Sequence, residues 1–243
     1  MVYQRREDRD SGHGRSHGWS GFRVLRWVAF ALAVLLLLPY AMTLLYVWVR
    51  PLSVPMLARY VTGKRVERTW VALEAFSPAL PRTVIAAEDA RFCSHAGVDL
   101  REIREAIADA EDGGPLRGGS TITQQTAKNL FLWQGRSYVR KALELPLSLW
   151  IDLVLPKRRI MEIYLNVAEW GPNGEFGAEA GARRAFAKSA RDLSLREASL
   201  MAAVLPNPAK RSAQRPGPEV GRLAGIYQAR ALRAGGADSC VRR

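Results

Sequence analysis

Glu88 and Glu144, with Lys128, Arg136, Arg140 and Lys141 lying between them, are the residues whose types and spacing suit a reaction. Glu88 follows the apolar run Val84-Ile85-Ala86-Ala87, where partial burial raises a carboxyl pKa and allows proton exchange near neutrality. Glu144 sits on the polar stripe Arg140, Lys141, Glu144, Ser148 and Asp152 of an otherwise leucine-rich segment. Two carboxylates from separate helices, facing one cleft, are the usual equipment for chemistry at a sugar carbon. The basic side chains suit a diphosphate, because arginines bind its oxygens in pairs and lysines act as point charges. A plainer reading stands beside this one. Glu88 is then an exposed helix residue, and Glu144 pairs with Arg140 or Lys141 on its own helix.

Between the two glutamates lies Gly118-Gly119-Ser120-Thr121-Ile122-Thr123-Gln124-Gln125-Thr126-Ala127-Lys128-Asn129. Thr121 and Gln124 form a capping-box pattern that starts a helix. Thr121, Gln124, Gln125 and Lys128 then share one helical face at three-and-four spacing. That face suits an oxygen-rich, negatively charged ligand at a helix start, or simply the solvated side of a capped surface helix. His95 reads as a turn or packing residue. His13 and His17 have no carboxylate or cysteine partner at ligand spacing. Cys93 and Cys240 are far apart and match no metal-site spacing, so neither a disulfide framework nor a zinc site is expected.

The elements that must hold these residues are helical. The pattern predicts helices over 82–93, 99–110, 137–155, 156–168, 176–186, 195–205 and 219–233, with Trp70 to Phe76 extended. Pro146 falls inside the 137–155 segment and should bend it locally. No strand-rich block and no internal repeat appears, so the class is mostly α. Trp27 to Val49 is uncharged. At about 1.5 Å per residue it spans a hydrocarbon core of roughly 30 Å, with Trp27, Tyr46 and Trp48 near its ends. Basic residues flank both sides, so the charge rule leaves the orientation open. The apolar run Leu130-Phe131-Leu132-Trp133 is expected to dip into a bilayer. The expected organisation is a disordered basic tail (1–26), a transmembrane helix (27–49), a membrane-proximal linker (50–69), a catalytic domain (70–234) and a polar tail (235–243). The 243 residues carry a net charge of +13, which points to an anionic partner: nucleic acid, a membrane surface or a phosphate-bearing substrate. The anchor disfavours nucleic acid.

In order and spacing, the chain from Trp70 to Pro208 resembles the biosynthetic peptidoglycan transglycosylases, the family that polymerises lipid II. The matching blocks are Glu88 to Gly97, Gly118 to Asn129, Arg140 to Glu144, Arg158 to Asn166 with Gly171, and Ala198 to Pro208. The resemblance implies a lysozyme-like, mostly helical domain with a larger head and a small membrane-proximal jaw. It implies Glu88 as general base on the acceptor's sugar hydroxyl, with Glu144 as the second catalytic carboxylate, positioning the acceptor or the basic groups. Ser120, Gln124, Lys128, Asn129, Arg136, Arg140 and Lys141 would bind the donor's sugars and phosphates, with Asp89, Phe92 and His95 as supporting residues.

The same resemblance implies lipid II and the growing lipid-linked glycan as substrates, with the membrane and other cell-wall synthesis proteins as partners. No cofactor is obligatory. A divalent cation such as Mg2+ is at most an assistant at the diphosphate, because the sequence shows no carboxylate cage. The implied location is the cytoplasmic membrane, crossed once, with the N-terminus inside and the catalytic domain periplasmic or extracellular. Two positions depart from the family pattern: Pro146 follows Glu144 closely, and Asp152 stands where glutamate is common. No Ser-x-x-Lys motif is present, so the expectation is a polymerase without transpeptidase activity. A lysozyme-like hydrolase and a non-catalytic anchored scaffold are the alternatives.

Overall fold

The computed structural model describes residues 18–111, 119–135 and 137–242. The chain divides into two units at Pro39 and Tyr40. Helix α1 runs from Gly18 to Leu45. Within it, Gly21–Leu45 has a mean hydropathy of 2.4 and is almost wholly exposed, which makes it long and apolar enough to cross a membrane. Such a span tolerates Pro39 where an aqueous helix would not. The helix starts and stops earlier than the uncharged stretch suggested. It ends at Leu45 because Tyr46 turns its ring inward, stacking on Phe131 with centroids 5.7 Å apart.

The second unit is built from helices, with isolated β-bridges among the described residues and no named strand. They are α2 (Val54–Val61), α3 (Ala79–Glu88), α4 (Leu100–Glu111), α5 (Ile122–Phe131), α6 (Tyr138–Val154), α7 (Lys157–Val167), α8 (Ala178–Phe186), α9 (Leu195–Val204) and α10 (Pro218–Arg233). Two packing groups carry the core. Helix α9 lies against α3 and α10, and α5 lies against α6 and α7. Ala198 to Val204 are buried along α9, and small side chains there let α3 approach closely. Ile160, Ile163, Tyr164 and Val167 fill the side of α7 turned to the core. The polar residues of α7 bind backbone instead. Asn166 clamps Val71 through two hydrogen bonds of 2.8 Å. Arg159 donates to the Tyr46 and Val49 carbonyls at 2.9 and 2.7 Å. These bonds fix the chain as it leaves α1.

Several sequence expectations change. The helix expected over 82–93 begins after Pro78 and ends at Glu88, because Asp89 goes extended and turns its carboxylate elsewhere. The expected linker contains α2, capped by Ser53 and anchored by the fully buried Met56. The extended stretch after Trp70 holds a 3-10 turn at Leu73–Ala75. Leu130 and Leu132 are core residues and Phe131 packs on Tyr46, so only Trp133 of that run stays largely exposed, at 44%. The exposed apolar stripe lies instead on α6, at Leu145, Leu149 and Leu153.

The largest correction concerns the cysteines. Cys93 and Cys240 form a disulfide with Cα atoms 5.5 Å apart. Sequence separation says nothing about this, because α10 packs back on α3 and returns the C-terminal segment to the turn after Glu88. That segment is docked rather than a free polar tail. Asp238 is buried between Arg82 and Arg242, at 3.2 and 3.1 Å, and Arg158 donates to the Val241 carbonyl at 2.9 Å. A cross-link closing so long a loop restricts the unfolded chain strongly. Replacing both cysteines by serine, or reducing the bond, should lower the unfolding free energy of the detergent-solubilised protein by about 2–5 kcal/mol in urea titrations. An unchanged midpoint would show that packing alone holds the segment.

Candidate active site

Glu88 is the last residue of α3, and it lines a cleft of about 670 Å³ together with Asp89, Ser120, Gln125 and Lys128. Asp89 explains why these residues meet. It is 2% exposed, and its carboxylate accepts the Ile122 N–H at 2.9 Å and lies 2.9 Å from His95 Nε2. The unpaired N–H groups at the start of a helix favour such an anion. Thr121 caps the same helix, accepts from the Gln124 N–H and donates its hydroxyl to the Gly97 carbonyl at 2.6 Å. The start of α5 is thereby fastened to the turn that follows Glu88. Phe92 is fully buried beneath that turn, with Lys157 Nζ 4.6 Å from its ring centroid.

Gln125 projects from α5 and donates Nε2 to Glu88 Oε2 at 2.7 Å. Burial pushes the Glu88 carboxyl above its ordinary 4.5, against the Gln125 hydrogen bond and the charge of Lys128. Lys128, one turn along the same helix, is half-buried, and burial lowers its pKa against the charges of Glu144 and Glu88. A carboxyl with raised proton affinity beside a partly desolvated cation can take a proton from a hydroxyl while balancing nearby negative charge.

Glu144 has a different place. Its side chain is 3% exposed, and it pairs with Arg140 and with Lys141, the latter at 2.9 Å. It does not line the cleft. The sequence expectation of two carboxylates facing one opening is corrected here: Glu144 is the buried anchor of two cations. Lys141 also donates to Ser120 Oγ at 2.8 Å, which joins this cation pair to the cleft wall. Helix α6 continues unbroken past Pro146, whose exposed face leaves the freed Ala142 carbonyl to water. Asp152 pairs with Lys157 at 2.6 Å and accepts weakly from Thr123, tying α6 to α7 and α5.

The remaining sequence candidates divide. Gln124 is fully buried and its Oε1 accepts from the Thr121 N–H at 2.9 Å, so it caps α5 and does not line the cleft. Asn129 is half-buried beyond Lys128, at 3.5 Å from Gln134. Arg136 lies outside the described residues. Asp89, His95 and Asp99 place ligand atoms within 4.8 Å of one another. They do not fit a metal centre: Asp89 is committed to Ile122 and His95, and Asp99 to Arg91 at 2.6 Å. Sequence reasoning missed the opposite wall, where Tyr227 and Arg230 of α10 face the cleft. It also missed Arg211, whose charge reaches Glu88 and which pairs with Glu219 at 2.7 Å. Arg211 follows closely on the Ala198–Pro208 block, and that adjacency was the available signal.

Fold and site define a mostly helical protein with an apolar N-terminal helix, whose cleft combines a carboxyl of raised pKa with basic side chains. The transglycosylase family model matches residues 55–225, and the chain belongs to that family. Its relatives include proteins named biosynthetic peptidoglycan transglycosylase. The protein of Rhodopseudomonas palustris (strain TIE-1) is 61% identical over 212 residues, covering 87% of this chain and 90% of its own. That of Nitrobacter hamburgensis is 59% identical over 220 residues, covering 90% and 97%. That of Rhizobium johnstonii is 46% identical over 242 residues, covering 99% and 98%.

The raised Glu88 pKa has a consequence for stability. Because the folded pKa exceeds the unfolded one, the folded protein holds this proton more tightly. The contribution to stability is full below pH 4.5 and is lost as pH rises through the folded pKa. Glu88→Gln should therefore raise the thermal midpoint at pH 8 relative to wild type, with the difference closing on acidification. A midpoint that falls at both ends of the range would contradict the burial argument.

Proposed function

We infer that this protein is a peptidoglycan glycosyltransferase, joining the disaccharide units of lipid II into a β-1,4-linked glycan and releasing undecaprenyl diphosphate. The observation that carries the reading is the Glu88 carboxyl, raised by burial, beside Lys128 and within reach of the Lys141–Ser120 contact. In this reading Glu88 takes the proton from the acceptor's sugar 4-hydroxyl as that oxygen attacks the donor's anomeric carbon and inverts it. The bond to the diphosphate breaks, and Lys128, Arg136, Arg140 and Lys141 meet the charge that develops on it. Glu144 acts through Arg140 and Lys141, holding them in place without sharing the proton chemistry. Ser120 and Asn129 contact the donor. A divalent cation such as Mg2+ is an accessory at the diphosphate, and no step depends on it.

The same reading puts the N-terminus in the cytoplasm and the second unit on the outer side of the cytoplasmic membrane. The Cys93–Cys240 disulfide supports that orientation, since such bonds persist in oxidising compartments. A lysozyme-like hydrolase shares the carboxyl chemistry, but a neutral glycosidic bond gives no use to the cations clustered around Lys128. Purified full-length protein in detergent, given labelled lipid II, should make polymer. Glu88→Gln should reduce the rate by about 10²–10⁴-fold. The wild-type rate should fall on acidification with a limb above pH 4.5 that reports Glu88. Shortening of preformed glycan strands without polymer formation would overturn the reading.

A further inference from the structure

Glu88 is held by an amide whose own orientation is set from behind. Tyr164 of α7 is 1% exposed and lies in the core, away from any substrate. Its hydroxyl donates to Gln125 Oε1 at 3.0 Å, and Gln125 Nε2 donates to Glu88 Oε2 at 2.7 Å. We propose that Tyr164 and Gln125 are positioning residues that hold the Glu88 carboxylate in its proton-accepting form, Tyr164 acting by fixing which end of the Gln125 amide faces it. This inference rests on the role of Glu88 as base.

A phenol in this site always carries its proton, because burial pushes the Tyr164 pKa well above 10. That proton needs an acceptor, and Gln125 Oε1 supplies it. With Oε1 so engaged, the amide can turn only its N–H toward Glu88. An N–H stabilises the carboxylate and opposes its protonation. A flipped amide would present Oε1 to Glu88, which only the protonated acid can satisfy, and would strand the buried phenol proton. Tyr164 therefore selects the amide orientation that keeps Glu88 ready to accept a proton. Without the hydroxyl, both orientations are open and the protonated acid gains a partner.

Other ionisable groups also surround Glu88. Asp89 adjoins it on its own chain segment, Lys128 acts on it from α5 and Arg211 from beyond α9, and the neutral Tyr227 of α10 feels its charge. Arg91, Glu102, Glu105 and Arg230 line the same cleft. Tyr164→Phe leaves every one of these in place, so a change in the Glu88 titration in that variant is attributable to the amide.

The test is the pH profile of lipid II polymerisation by the full-length protein in detergent, for wild type, Tyr164→Phe, Gln125→Met and the double variant. In Tyr164→Phe the acidic limb of kcat should move up by about one pH unit, the effect of one hydrogen bond to a charged group. The rate on that limb should drop about tenfold, with KM and the alkaline plateau little changed. Gln125→Met should move the limb at least as far. The double variant should move it no further than Gln125→Met, because both changes act on one interaction. A stationary limb in Tyr164→Phe, additive shifts, or a loss equal at every pH would overturn the proposal. Should Tyr164→Phe fail to fold, Gln125→Met decides alone, a stationary limb counting against the proposal. Failure of the glycosyltransferase reading looks different, since wild type would then make no polymer at any pH.

Discussion

The Asp89 carboxylate joins two parts of the chain that the site cannot do without. It ends the backbone course of α3, leaving Glu88 at the helix terminus, and it receives the first N–H of α5. His95 closes the same carboxylate from the other side. A buried anion must be fully paired or it destabilises the fold, and these partners are what make Asp89 tolerable in the interior. The result is that Glu88 and the Gln125–Lys128 face of α5 have a fixed separation. The proton transfer proposed for Glu88 depends on that separation.

The charges beyond this joint are arranged by a second buried carboxylate. Glu144 gathers Arg140 and Lys141, and Lys141 reaches Ser120 at the edge of the cleft. Cations crowded together repel, and Lys128, whose pKa burial lowers first, is lowered further by Arg140 and Lys141. Glu144 offsets that repulsion, so a site suited to an anionic diphosphate can stand ready before the anion arrives. The two glutamates thus have different duties set by their surroundings. One is open to the cleft with its proton affinity raised, and the other is enclosed by cations.

Residues of α7 show how far a motif can be read and where reading fails. Arg158 to Asn166 stood out as a block, yet its chemistry is largely structural: Arg159 binds the chain leaving α1, and Asn166 clamps Val71. Tyr164, a core residue, supports Gln125 through its hydroxyl. Gln124 and Gln125 are adjacent and chemically identical, but only Gln125 reaches the cleft, because Gln124 closes the capping box. No one-dimensional pattern separates them. The Cys93–Cys240 bond, the docked C-terminal segment and the wall of Tyr227 and Arg230 were hidden for the same reason. Each depends on where α10 lands.

Local chemistry was legible from the residues alone. The helical class, the capping of α5 by Thr121 and the apolar span all follow from short-range pattern and propensity. These depend on neighbours within a turn or two, and a sequence displays such neighbours directly. The pairing of Asp89 with Ile122, the enclosure of Glu144 and the disulfide depend on contacts between distant segments. Their energies come from burial, and burial exists only once the helices have packed. Packing of α9 and α10 on α3, and of α5 on α6 and α7, therefore decided which of the polar residues became a site and which became its frame.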